Sequence, residues 1–136
     1  MSLTEESRRV VLKWFECVNE GRHGDLMALG APDATWWVSG LKETFPLSGS
    51  YPYAEREKHM NEVLKGVISF KLTIKDITAE GDTVVVEASP RAETQDGRIY
   101  ENDAMTKFVI KDGKIQSLRE YVDVVALSKF MEGQTA

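Results

Sequence analysis

The hydrophobic period of this chain changes once, at Val67, and that change decides its fold class. Before it, apolar residues recur three and four apart. After it they alternate, with Ile68, Phe70, Leu72 and Ile74 interleaved by Ser69, Lys71, Thr73 and Lys75. Period two is the mark of a half-buried strand, and spacing of three and four the mark of an amphipathic helix. Helices first and strands after read as α+β, not as alternating α/β. Gly81-Asp82, Asp96-Gly97 and Asp112-Gly113 punctuate the second part. Asp-Gly suits a tight hairpin turn, whose central residues need positive φ. The spacing predicts strands from Val67 to the first turn and over 83–94, 99–110 and 115–124, joined as a meander.

The first part predicts a helix over 3–20. Ser2 and Glu5 fit a capping box, Val10, Val11, Trp14, Phe15 and Val18 form its stripe, and Gly21 ends it. A short helix follows over 25–29, then a strand over 34–38 and a loop over 39–52 marked by Gly40, Pro46, Gly49 and Pro52. A third helix is predicted over 53–65. It turns Met60, Val63 and Leu64 inward and leaves Glu55, Arg56, Glu57 and Lys58 as its solvated face. A closing helix covers 125–131.

With 136 residues there is room for one domain, 1–136. The formal charge, 17 basic against 22 acidic residues, is −5. An acidic chain is a poor match for nucleic acid or an anionic membrane. The one cysteine, Cys17, has no internal partner, and the acids of MSLTEESRR replace the apolar run of a secretion signal, so a cytoplasmic location is expected. His23 and His59 are far apart without nearby cysteines, and no phosphate-binding glycine motif occurs, so no metal and no cofactor are expected.

Counting outward from two-residue turns sets three rows across one sheet face: Arg91–Asn102–Asp123, Ser89–Ala104–Tyr121 and Glu87–Thr106–Arg119. Phe70, Leu72, Ile74, Val85, Phe108, Ile110 and Ile115 continue that face as its oily end. The opposite face carries Val84, Val86, Ala88, Met105, Val109, Leu118 and Val122. Two partly apolar faces suggest that one takes the helices and the other meets a second copy of the chain. A bulge would invert the faces beyond it, and Pro90 is a candidate place for one.

The segments Pro46-Leu-Ser-Gly-Ser-Tyr51, Glu87 after Val84-Val-Val, Tyr100-Glu-Asn102, Phe108-Val-Ile-Lys-Asp-Gly-Lys-Ile115 and Arg119-Glu-Tyr-Val-Asp123 carry a resemblance. In order and spacing the chain resembles the nuclear transport factor 2-like cone fold, and within it the SnoaL-like, ketosteroid-isomerase-related branch that includes polyketide cyclases. The resemblance implies a curved, mostly antiparallel sheet wrapped around N-terminal helices, a homodimer and a pocket on the concave face. It also implies an acid/base aspartate near the end of the last strand, where Asp123 stands. The oxyanion-hole tyrosine and the base of the steroid isomerases have no counterpart in Trp14-Phe15 or Trp37-Val38-Ser39. The Asp-Arg-Asp cluster of limonene-epoxide-hydrolase-type members is matched in part by Asp123 with Arg91 or Arg119. Ala104 stands where a larger pocket residue is usual.

Asp123, Arg91 and Asn102 are thus the candidate catalytic group, with Asp123 as base and the other two holding oxygen and charge. The structural alternative is a carboxylate tied to Asn102 at the strand ends. Tyr100, Arg119, Glu87 and Tyr121 are candidate substrate contacts, against a plain ion pair or packing as the alternative. Trp14, Trp36, Trp37, Phe70, Leu72, Phe108 and His59 are the candidate walls, although aromatics at such spacing also build ordinary cores. The expected ligand is an apolar, oxygenated small molecule, acted on by an isomerase, cyclase or hydrolase. A non-catalytic binding or dimerisation module of the same fold is the competing expectation.

Overall fold

The computed structural model describes residues 1–134. Helix α1 covers Leu3–Glu20 and α2 His23–Ala28. Ser2 caps α1 by accepting the Glu5 N–H, and Gly21, at φ 68°, closes it in the left-handed conformation. Strand β1 runs Gly30–Val38 and β2 Gly49–Pro52, followed by a 3₁₀ turn at Tyr53–Glu55 and helix α3 at Arg56–Val63. The meander comprises β3 (Val67–Glu80), β4 (Thr83–Thr94), β5 (Ile99–Glu101), β6 (Ala104–Lys111) and β7 (Lys114–Val122), and α4 (Val124–Gln134) ends the described chain.

All seven strands belong to one unclosed sheet in the order β2-β1-β7-β6-β4-β3, with β5 beside β4. Every pairing is antiparallel except β1 with β7. The α+β class and the helix-filled curved sheet match the expectation. Shifts of pairing between Ile74 and Asp76, and between Val109 and Ile110, mark irregularities of the kind that bend a sheet. The concave face packs on α1, where Trp14 meets Phe15, Trp36 and Phe108 with ring centroids 5.0, 5.6 and 5.3 Å apart. Val11, Leu26, Val84, Val86, Ile115 and Leu118 complete a core with almost no exposed surface.

The rows expected across the sheet do not form as counted. After β4 the chain turns through three residues, with Thr94 N–H donating to the Arg98 carbonyl at 3.0 Å, and Gly97 sits at φ 85°. The extra residue is the usual companion of a glycine in this conformation at a hairpin end. It moves the pairing by one, so Ala88 faces Ala104 and Val86 faces Thr106. The Asp112-Gly113 turn has two residues as expected, but the irregularity at Val109/Ile110 then sets Ala104 opposite Val122 and Thr106 opposite Glu120. A shift of one exchanges the two faces. Val84, Val86, Ala88, Leu118 and Val122, expected outside, therefore lie on the concave face with Phe70, Leu72 and Phe108. Glu87, Ser89, Arg91, Arg119 and Tyr121, expected inside, lie on the convex face.

Three further corrections follow. The predicted loop 39–52 contains β2, paired to β1. The predicted strand 99–110 breaks at Asn102-Asp103, so β4 changes partner from β6 to β5 beside Pro90, whose missing N–H costs the ladder nothing there. Arg56, expected on a solvated face, is only 3% exposed.

Candidate functional site

Between α1, α3, α4 and the concave face lies a cavity of about 130 Å³. Trp14, Phe15 and Val18 of α1, Met60 and Val63 of α3 and Leu127 of α4 line it from the helix side. The sheet contributes Trp36, Phe70, Leu72 and Tyr100, with Ala88 and Ala104 where larger side chains would fill the space. Of the expected wall residues, Trp14, Trp36, His59, Phe70 and Leu72 are thus brought together, with Tyr100, expected as a substrate contact, beside them; Trp37 is not among the lining residues. Phe108 is fully buried behind them, against Trp14 and Phe15.

The cavity's polar groups are few and specific. Glu120 follows from strand alternation: it sits between Leu118 and Val122, both turned inward. Trp36 donates its indole N–H to Glu120 Oε1 at 3.0 Å. Burial raises the proton affinity of this carboxyl, and neither that N–H nor the nearby Arg56 cation reverses the shift.

Arg56 enters at the start of α3. It donates to the carbonyls of Trp36 at 3.1 Å, Leu47 at 2.8 Å and Gly49 at 2.7 Å. Burial lowers its proton affinity, and Glu120 opposes that. Its Nη1 also lies 2.8 Å from His59 Nδ1. Arginine has donors only, so His59 must accept at Nδ1 and carry its proton on Nε2. Burial first, and Arg56 second, lower the His59 pKa in keeping with that neutral form.

The remaining expected site residues stand elsewhere. Asp123 is exposed, and its Oδ1 accepts the N–H groups of Val125 at 3.0 Å and Ala126 at 3.3 Å, capping α4. Asn102 ties the Asp123 backbone from both sides, donating to its carbonyl at 3.0 Å and accepting its N–H at 3.1 Å. Arg91 pairs with Glu93 at 3.4 Å and Glu101 at 3.6 Å. Arg91, Asn102 and Asp123 do share a neighbourhood, a separate and more open pocket of about 640 Å³ that Lys75, Ser89 and Asp103 also line. Arg119 lies over the Trp37 ring at 3.9 Å, with Tyr121 4.9 Å from that ring, on the convex face. Glu87 lies on the same face opposite Met105, not beside Arg119.

The sequence reading missed Glu120 and Arg56 as site residues. Glu120 had a signal, a single carboxylate between apolar Leu118 and Val122. Arg56 had none, because Glu55-Arg56-Glu57-Lys58 reads as a solvated run.

A SnoaL-like domain matches residues 11–118. The chain belongs to the SnoaL-like family. UPF0523 protein C of Dictyostelium discoideum is 32% identical over 98 residues, 70% of this chain and 63% of that protein. The chain thus spans under two thirds of this relative's length. PrhC from Penicillium brasilianum shares the fold with a TM-score of 0.82 at 17% identity, over 96% of this chain and 89% of that one. An LEH-like epoxide hydrolase of M. tuberculosis does so with a TM-score of 0.73 at 19% identity, over 97% and 93%. Among the described residues no helix is long and apolar enough to cross a membrane, and no three His, Cys, Asp or Glu side chains cluster as metal ligands would.

Proposed function

We infer that this chain is a cofactor-independent acid/base enzyme acting on a small, apolar, oxygenated molecule, with Glu120 carrying the proton. One observation supports this above others: a carboxyl of raised proton affinity lines a cavity otherwise almost wholly apolar. Such a group holds its proton to higher pH than an ordinary glutamate and, once ionised, is the stronger base. As carboxylate, Glu120 removes a proton from carbon beside a carbonyl, and the electron pair moves onto oxygen. The buried Arg56 cation favours that negative charge. Returning the same proton to another carbon completes an isomerisation with no other reactant. Cyclisation by carbon–carbon bond formation, or addition of water to an epoxide, uses the same group. Asp123 lies at the head of α4, engaged in capping, so the proton-transfer role passes to Glu120, with Arg56 in place of Arg91.

The cavity volume suits a molecule of about one six-membered ring, since a pocket of roughly 150 Å³ holds benzene. A panel of small ketones and epoxides, assayed for turnover with wild type and Glu120→Gln, tests the reading. Turnover should fall by roughly 10²–10⁴-fold in the variant, the usual contribution of a positioned acid/base. Turnover by Glu120→Gln at the wild-type rate removes Glu120 as the proton carrier. The small size of the cavity also favours a second reading, a non-catalytic module that holds a ligand; it predicts binding from the panel without turnover. The reading includes a cytoplasmic location, suited to the free buried Cys17, and a homodimer through the convex face.

A further inference from the structure

The cavity contains one hydroxyl whose proton position can be deduced. Tyr100 is 6% exposed, and its ring is held against Phe130 with centroids 5.0 Å apart. Asn102 Oδ1 accepts two backbone N–H groups, from Asp103 at 2.8 Å and Asp123 at 3.1 Å. Those donors leave only one orientation for the amide, with its NH₂ towards Tyr100 and the Asp123 carbonyl. Asn102 Nδ2 accordingly donates to Tyr100 Oη at 2.7 Å and to Asp123 O at 3.0 Å. The tyrosine oxygen is therefore an acceptor towards Asn102, and its own proton must be directed elsewhere. No acceptor for that proton occurs among the described residues, yet Tyr100 lines the cavity. A buried donor without an acceptor is costly, and a ligand oxygen would remove the cost.

We propose that Tyr100 donates the hydrogen bond that holds the acceptor oxygen of the ligand, and that Asn102 is the positioning residue that aims its proton into the cavity. The ligand class is then a neutral molecule of about one ring bearing a carbonyl or ether-type oxygen. This rests on the assignment of the cavity as the binding site, but not on Glu120 transferring a proton. Burial also raises the proton affinity of Tyr100, so the hydroxyl keeps its proton for this role.

Cyclohexanone and methylenecyclohexane, alike in shape but differing in the acceptor, are suitable probes. Wild type should bind the ketone more tightly and lower the carbonyl stretching frequency of the bound ketone. Tyr100→Phe should weaken ketone binding by roughly five- to tenfold and abolish the frequency shift, while methylenecyclohexane affinity stays within about twofold. In Asn102→Asp the new carboxylate accepts from Tyr100, turning its proton out of the cavity, so the shift should vanish although the tyrosine remains. A shift that survives Tyr100→Phe, equal loss of both probes, or no ketone preference in wild type overturns the proposal. A shift lost in Glu120→Gln but kept in Tyr100→Phe overturns it too and assigns the donor to Glu120. Because these readouts are of binding, lost turnover in Glu120→Gln tests the acid/base reading separately.

Discussion

Glu120 connects catalysis to stability through a single proton. Burial lifts its folded-state pKa above the unfolded value, near 4.3 for glutamate. The base form therefore accumulates only above the ordinary carboxylate range, and turnover should rise with pH along a limb displaced upward from that range. Glu120→Gln should abolish the limb together with the activity. The same shift sets the sign for stability. A raised carboxyl pKa favours the fold fully below the unfolded pKa, and that contribution is lost as pH rises through the folded value. Glu120→Gln cannot ionise, while its amide oxygen can still accept from Trp36. Thermal melts across pH should show the variant gaining on wild type as pH climbs and the two converging in acid. A stability difference independent of pH would refute the shift. The isolated carboxylate in the alternation Leu118–Glu120–Val122 was legible in the sequence, but it acquired meaning only once the face of β7 was known.

Turns and clamps decide that face at the scale of elements. Gly97 sits at φ 85° with nothing within 4 Å of where a Cβ would stand, so Gly97→Ala adds backbone strain without a clash. A left-handed alanine costs roughly 1–2 kcal/mol, which denaturant unfolding should register as a lowered midpoint with unchanged slope. Arg56 joins three segments by its bonds to the carbonyls of Trp36, Leu47 and Gly49. Arg56→Leu deprives all three oxygens of their donor, at roughly 1–3 kcal/mol each where they stay buried. It should therefore destabilise the protein more than Gly97→Ala; an equal or smaller loss would mean that water replaces the guanidinium. The α+β order, α1 with its caps, and the hairpins after β3 and β6 were legible because periodicity and turn chemistry are local signals. The faces of β4 and β7 were not. A three-residue turn and a two-residue turn both accommodate Gln95-Asp96-Gly97, and the irregularity at Val109/Ile110 carries no glycine or proline to announce it. One residue at each place moved Asp123, Arg91 and Arg119 away from the cavity and moved Glu120 into it.

At the scale of the whole molecule, the inverted faces leave the convex side less apolar than the alternation implied, but with one partly exposed aromatic cluster on it. Trp37, Arg119 and Tyr121 meet there, Arg119 lying 3.9 Å from the Trp37 ring centroid and donating to the Tyr121 hydroxyl at 3.3 Å, and Met105 lies opposite Tyr121 across the β6–β7 ladder. Tyr121 is 47% and Met105 48% exposed. Flat aromatics, methionine and arginine are the residues enriched where proteins meet, and a patch on one sheet face can pair with its own copy about a two-fold axis. Residues beside that axis meet their own counterparts, so an added charge there is repelled by its twin. Sedimentation equilibrium of the wild type should give twice the chain mass, and Tyr121→Asp should give monomers. The cavity opens on the other side of the sheet from this patch, so cyclohexanone binding should be retained in the monomeric variant. A wild type that sediments as a monomer at concentrations of tens of micromolar, about the range where weak dimers associate, would deny the convex face this role.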